Sequence, residues 1–184
     1  ARTTTGAWSF ADFYSYVCRM IGQNGRRGAL MISMDIRHPD IEEFIKMKHD
    51  LTKVTGANVS VKISDSFMQA VEEKGTFTLQ FPVDADEPEF TADIDAAQLW
   101  SSIIESATQT AEPGLLMWDN ITRNLPAHNY PEFKTKTTNP CGEIPLSAYD
   151  SCRLISLNLK SLVKNSFEKN ADFDFNKLKN MAAV

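Results

Sequence analysis

Residues Asn139-Pro140-Cys141-Gly142-Glu143 set an amide, a thiol and a carboxylate at every second position. In an extended or finger-like backbone, positions i, i+2 and i+4 project to the same side. Asn139, Cys141 and Glu143 are then placed to share one small pocket. Pro140 fixes its own φ and biases Asn139 toward extended conformations, while Gly142 leaves room beside the thiol. The same letters also read as a plain turn, with Cys141 a small packed residue and Glu143 a surface charge. A second thiol, Cys152, follows shortly after and brings in redox chemistry.

Working outward, strand-like and helix-like patterns alternate. Phe10, Phe13, Tyr14, Val17, Cys18 and Ile21 recur at helical spacing, which predicts an amphipathic helix ending at Gly22. Gln23-Asn24-Gly25-Arg26-Arg27-Gly28 is a turn-forming loop, and Ala29 to Met34 a buried strand. Pro39 and Asp40 start a helix with Ile41, Phe44 and Ile45 inward, its acids leading and its bases trailing as the helix dipole prefers. Val59, Val61 and Ile63 alternate with polar residues, so a strand is expected, followed by a helix capped by Ser64 or Asp65. Phe77, Leu79 and Phe81 give another strand, and Asp84 to Asp95 an acidic surface loop. A longer helix through Trp100, Ile103, Ile104 and Ala107 stops at Pro113-Gly114, ahead of a strand over Leu115 to Trp118. Asn120 to Thr138 reads as irregular, and Leu154 to Leu159 as a further strand. This order favours an α/β fold with helices outside a central sheet or barrel. No repeat or linker interrupts residues 1–184, which are expected to form a single incomplete domain. The chain opens on Ala1 and closes on what reads as an unfinished helix, the expected pattern for a piece of a larger polypeptide.

Composition narrows the function. A net charge of −5 and no basic stripe beyond Arg26-Arg27 argue against a nucleic-acid-coating surface. No apolar run nears the roughly 18 residues of a membrane span, and no signal peptide opens the chain. Three cysteines do not make a disulfide scaffold, so the expected compartment is the cytoplasm. The cysteines and histidines lack the close pairings of a metal site, so no metal ligand is assigned. A conventional thiol nucleophile wants a histidine partner. His38 and His49 flank a helix, while His128 sits in a polar loop and keeps a thiol hydrolase open as a reading. The loop arginines Arg26 and Arg27 offer planar guanidiniums to a phosphate or a base edge, or else form a solvated turn.

Taken together, the motifs carry a resemblance. Residues 139–143 with Tyr149-Asp150-Ser151-Cys152-Arg153-Leu154 resemble the active-site region of the ribonucleotide reductase catalytic (large) subunit. Gly25-Arg26-Arg27-Gly28-Ala29-Leu30-Met31, His38 to Ile45, Val59-Ser60-Val61 and Asp65-Ser66-Phe67-Met68 are similar to that family in the same order. The resemblance implies part of a ten-stranded α/β barrel with a central finger loop. It implies that Cys141 hosts a thiyl radical that takes the 3′ hydrogen of a ribonucleotide. Glu143 would accept the 3′ hydroxyl proton, Asn139 would hold the substrate, and Cys152 would be one of two reducing thiols whose partner lies upstream of Ala1. Gln23, Arg26 and Arg27 would report an ATP or deoxynucleoside triphosphate effector to the substrate base. The helix before them would join a homodimer interface. The fragment itself would hold no cofactor. The parent enzyme would use adenosylcobalamin or a separate radical-generating metal subunit, with thioredoxin or glutaredoxin as reductant. The alternative is a non-catalytic nucleotide-binding or assembly piece that needs a complementary chain.

Overall fold

Helix α1, Ala7–Met20, turns its apolar letters outward. In this computed structural model, which describes residues 5–22 and 24–183, Phe13 and Tyr14 are exposed, as are Phe10, Met20 and Ile21. The face of α1 that packs is mostly small and polar, with Ala11 buried and Trp8 partly buried against the core. Asp12 Oδ1 accepts the Val54 N–H at 2.7 Å and Ser15 Oγ the Gly56 N–H at 2.7 Å. Gly56 is required there, since a Cβ would stand 2.8 Å from the Ser15 carbonyl oxygen. The predicted amphipathic helix is therefore present, but its aromatic stripe does not face this chain's core.

Strand β1, Met31–Asp35, leads through a turn into the short helix α2, Ile41–Lys46, whose Ile41, Phe44 and Ile45 are buried as their spacing predicts. Strand β2, Asn58–Ile63, returns parallel to β1 with Met31 opposite Asn58 and Asp35 opposite Lys62. Helix α3, Asp65–Glu72, is capped by Ser64, whose Oγ accepts the Phe67 N–H at 3.2 Å. Strands β3, Thr76–Phe81, and β4, Phe90–Asp95, then form an antiparallel hairpin. The expectation of an acidic loop running to Asp95 fails here. Phe90, Ala92 and Ile94 lie opposite Phe81, Leu79 and Phe77, and Asp93 accepts a hydrogen bond from Thr78 Oγ1 at 2.7 Å. Helix α4, Ala96–Thr110, is capped by Asp95 and ends at the left-handed Ala111. Strand β5, Gly114–Met117, completes a three-stranded sheet in the order β1-β2-β5, all parallel.

The core lies on one side of that sheet. Val59, Val61 and Ile63 meet Phe44, Phe67, Leu99 and Ile103, all but sealed from solvent. Crossovers of this kind place helices against a parallel sheet and bury the strands between them. Glu112 clips the sheet where β5 begins. It accepts the Val59 N–H at 2.9 Å and pairs with Lys48, which also donates to the Ala57 carbonyl. The described strands do not close into a barrel; they form the α/β sheet and three separate two-stranded ladders.

After β5, helix α5, Trp118–Asn124, takes over at the residue expected to end a strand. Two short 3₁₀ turns lead into β6, Thr135–Thr138, which pairs antiparallel with β7, Pro145–Ser147. The chain divides into two compact units, Ala1–Ser151 and Cys152–Val184. Within the second, β8, Val163–Lys164, pairs with β9, Asp172–Phe173, ahead of helix α6, Phe175–Ala182. The strand expected over Leu154 to Leu159 is absent. Residues 151–158 have no regular structure, and Leu154 and Ile155 are 90% and 88% exposed. An apolar strand needs hydrogen-bonded neighbours and covered faces, and the second unit supplies neither for this stretch.

His38 tests the packing between β1 and α2. Its Nδ1 accepts the Asp40 N–H at 3.0 Å, and its ring meets Phe81 edge-on at 5.6 Å. Burial pushes its pKa below the ordinary imidazole value, against the pull of Asp40 and Asp35. The unfolded chain therefore takes up a proton near pH 6.5 that the folded chain resists. Stability rises with pH through the window below that value and is lost as pH falls. Denaturant midpoints measured from about pH 7.5 down to about 5.5 should decline, with His38→Gln flattening the slope. Equal slopes for the two proteins would refute the assignment.

Candidate functional site

The thiol sits on the six-residue loop that joins β6 to β7. Asn139 to Gly142 form a tight turn, with the Gly142 N–H donating to the Asn139 carbonyl at 3.0 Å. Asn leads, Pro140 follows with its φ already set, Cys141 has no positive φ, and Gly142 comes last at φ 86°. This is the residue order of a type I turn. The alternate-side geometry expected of an extended segment is thus replaced by a turn, because Pro140 and Gly142 favour closure once Asn139 is anchored. Asn139 is the anchor. Its N–H donates to the Ile144 carbonyl at 3.1 Å, and its Oδ1 accepts the Ile144 N–H at 3.0 Å, stapling the loop base. Its Nδ2 makes no hydrogen bond among the described residues, so a donor is left over at a residue that is only 9% exposed.

Cys141 and Glu143 are both exposed, and neither makes a hydrogen bond or ion pair among the described residues. The turn brings amide, thiol and carboxylate onto one loop. Cys152 is exposed too and opens the second unit. No group of described side chains could hold a metal ion, and no described helix is long and apolar enough to cross a membrane. His128 has a task of its own. Its Nδ1 accepts the Thr135 N–H at 3.1 Å, and burial, with Lys134 and Lys136, lowers its pKa. It donates nothing to and accepts nothing from Cys141, so no thiol–histidine pair forms.

A second feature is a basic cleft of about 420 Å³ lined by Arg19, Arg27, Lys48, Gly56 and Asn58 among others. Arg27 forms no ion pair among the described residues. Arg26 is exposed and outside the lining, and Gln23 lies outside the described residues. The arginine loop returns tightly onto α1, because a Cβ on Gly28 would stand 2.9 Å from Cys18 Sγ. Asn58 borders this cleft and also donates through Nδ2 to the Pro140 carbonyl at 2.6 Å. Sequence reasoning missed Arg19, Lys48 and Asn58. For Asn58 the available signal was its place among the polar alternates of β2; for Arg19 and Lys48, their helix-end positions gave none.

Fold and site together define an α/β segment built around a thiol-bearing hairpin with a cationic cleft beside it. The profile described as "Ribonucleotide reductase, barrel domain" matches residues 1–184, and the chain belongs to that family. It is 37% identical over 172 residues to the vitamin B12-dependent ribonucleoside-diphosphate reductase of Thermoplasma acidophilum, covering 92% of this chain and 22% of that protein. It is 33% identical over 184 residues to the protein of that name from Mycobacterium tuberculosis, covering 99% and 25%. A putative adenosylcobalamin-dependent ribonucleoside-triphosphate reductase of Mycobacterium phage D29 is 30% identical over 141 residues, covering 77% and 18%. The chain spans about a quarter or less of these relatives.

The turn can be tested by its glycine. A Cβ on Gly142 would meet Leu116 Cδ2 at 3.7 Å, an ordinary contact, so only the backbone objects. Gly142→Ala should cost about 1–2 kcal/mol from the left-handed φ alone. A denaturation curve within about 0.3 kcal/mol of the parent's would show that the turn relaxes without it.

Proposed function

We propose that this chain is the central part of the barrel domain of a cobalamin-dependent ribonucleotide reductase, with Cys141 as its radical site. The carrying observation is an exposed thiol at the tip of a backbone-fixed turn, with an exposed carboxylate two residues on, neither of them engaged among the described residues. Adenosylcobalamin, when bound in the parent enzyme, supplies the one-electron chemistry that removes the hydrogen atom from Cys141. The unbonded sulfur fits that demand, and the relatives' names favour this cofactor over a metal-radical subunit. No described residue is assigned as a cobalamin contact.

The chain's own residues then act in order. The Cys141 thiyl takes the 3′ hydrogen atom of the ribonucleotide, Glu143 accepts the 3′ hydroxyl proton, and the 2′ hydroxyl leaves as water. Asn139 turns its spare Nδ2 donor to the substrate. Two electrons and two protons come from Cys152 and a second thiol, which end as a disulfide. Cys141 then returns the hydrogen atom to C3′, which restores the thiyl radical. Closure of the parent barrel, ten-stranded with the β6–β7 hairpin as its finger, excludes water from the radical.

The same reading assigns the partners. Arg27 and Arg26, with Gln23 outside the described residues, are assigned to an ATP or deoxynucleoside triphosphate effector; the cleft cations suit its phosphates. The exposed aromatic stripe of α1 suits a homodimer interface. Thioredoxin or glutaredoxin would re-reduce the disulfide in the cytoplasm. Both compact units belong to one barrel domain in this reading, supported by a family match that runs through both. The alternative, an assembly piece inactive by itself, is favoured by the outer edges of β1 and β5, which pair with no strand among the described residues and can take further strands.

In the full-length enzyme, Cys141→Ser should abolish nucleotide reduction, because a serine O–H does not yield its hydrogen atom under the same chemistry. Glu143→Gln should lower kcat by about 10²-fold or more with substrate still bound. Turnover retained by Cys141→Ser would end the radical assignment.

A further inference from the structure

We propose that Asn58 and Lys62, on the polar face of β2, are positioning residues that clamp the thiol-bearing hairpin and fix where Cys141 stands. Both edges of β2 are filled, by β1 on one side and β5 on the other. The hairpin therefore reaches β2 through side chains on its face. Side chains alternate along a strand, so Asn58, Ser60 and Lys62 share the face opposite Val59, Val61 and Ile63. Asn58 Nδ2 donates to the Pro140 carbonyl at 2.6 Å, and Lys62 Nζ donates to the Lys136 carbonyl at 2.5 Å. The two donors are four residues apart on β2. The two acceptors are four residues apart on the hairpin and run the opposite way. One strand of the hairpin is thus laid antiparallel over β2 and pinned at both ends of the overlap. Ser60 and Thr138, midway between the pins on their respective strands, are both buried.

The two pins differ in kind. Asn58 holds the carbonyl that immediately precedes Cys141, so a change there is felt at the sulfur's own peptide. Lys62 holds the hairpin base and is itself held, with its ammonium 4.2 Å from the centre of the Trp118 ring. Burial lowers its pKa, opposed by Asp35 and Asp84. The hairpin carbonyl and the aromatic face replace the water that such an ammonium gives up. A reacting group misplaced by about 1 Å loses of order 10²-fold in rate, so modest bonds suffice if they set position.

The catalytic consequence rests on the radical reading; the placement of the thiol does not. The test uses the full-length parent enzyme with Asn58→Asp, which keeps the shape and removes the donor, and Lys62→Met, which keeps the apolar stem on Trp118. Without cofactor or substrate, the iodoacetamide alkylation rate of Cys141, followed by peptide mass, should rise at least about threefold in each variant. Cys18, on α1, should be unchanged. With cofactor and ribonucleotide, kcat should fall about tenfold or more while KM stays within about twofold. Should Asn58→Asp fail to fold, Lys62→Met alone decides. Unchanged alkylation and unchanged kcat overturn the clamp. So does a loss of kcat that only tracks a lower melting temperature and disappears on cooling. If Cys141→Ser still turns over, the radical reading fails, and alkylation alone judges the clamp.

Discussion

The structure depends on the two-sidedness of β2. Its apolar alternates, Val59, Val61 and Ile63, are sealed against α2, α3 and α4. Its polar alternates face the hairpin that carries Cys141. A slip of one residue in register would exchange the two sets, putting Lys62 and Asn58 into hydrocarbon and the valines under the thiol. Strong apolar burial on one face therefore fixes the geometry of the other. The Glu112 carboxylate reinforces the register by taking the Val59 N–H at the entry to the strand.

This two-sidedness explains what was legible in the letters. The alternation over 59–63 and the buried Ile41, Phe44 and Ile45 depend on local pattern and stand as read, and of the two cap candidates, Ser64 and Asp65, the structure takes Ser64. β4 was hidden because its outward alternates are Thr91, Asp93 and Asp95, which made a strand look like part of an acidic loop. The α1 helix was legible but its facing was not. Periodicity says that one face is apolar; it does not say whether that face meets the same chain. Here the packing face is chosen by the Asp12 and Ser15 hydrogen bonds to the 54–56 backbone, which no hydrophobicity pattern encodes. The Leu154 to Leu159 stretch has the composition of a strand, but strand formation needs neighbours that the second unit does not contain.

At the site, the residues were legible and their geometry was not. Asn139, Cys141 and Glu143 stand out by type and spacing, yet the spacing argument assumed an extended backbone. Pro140 and Gly142 instead close a turn, so the plain reading of the segment as a turn and the chemical reading of its thiol are compatible. The burial half of the plain reading does not hold, since the sulfur is exposed. The partners of the turn could not have been read locally. Asn58 and Lys62 lie more than seventy residues upstream, and only the fold brings them to the hairpin.

Two independent constraints then act on one sulfur. The Asn139 staple sets the shape of the loop, because it closes residues 139 to 144 on themselves. The bonds from β2 set the place of the loop, because they refer it to the most buried strand of the sheet. Neither constraint touches the thiol itself, which makes no hydrogen bond among the described residues. That combination suits hydrogen-atom chemistry better than nucleophilic chemistry. A thiolate nucleophile needs a base or cation at the sulfur, whereas a thiol that gives up a hydrogen atom needs a fixed position and an open approach. His128, the one histidine the sequence left open as a base, is engaged by the Thr135 N–H. Its Nδ1 therefore serves the start of β6, and the ring makes no hydrogen bond with Cys141.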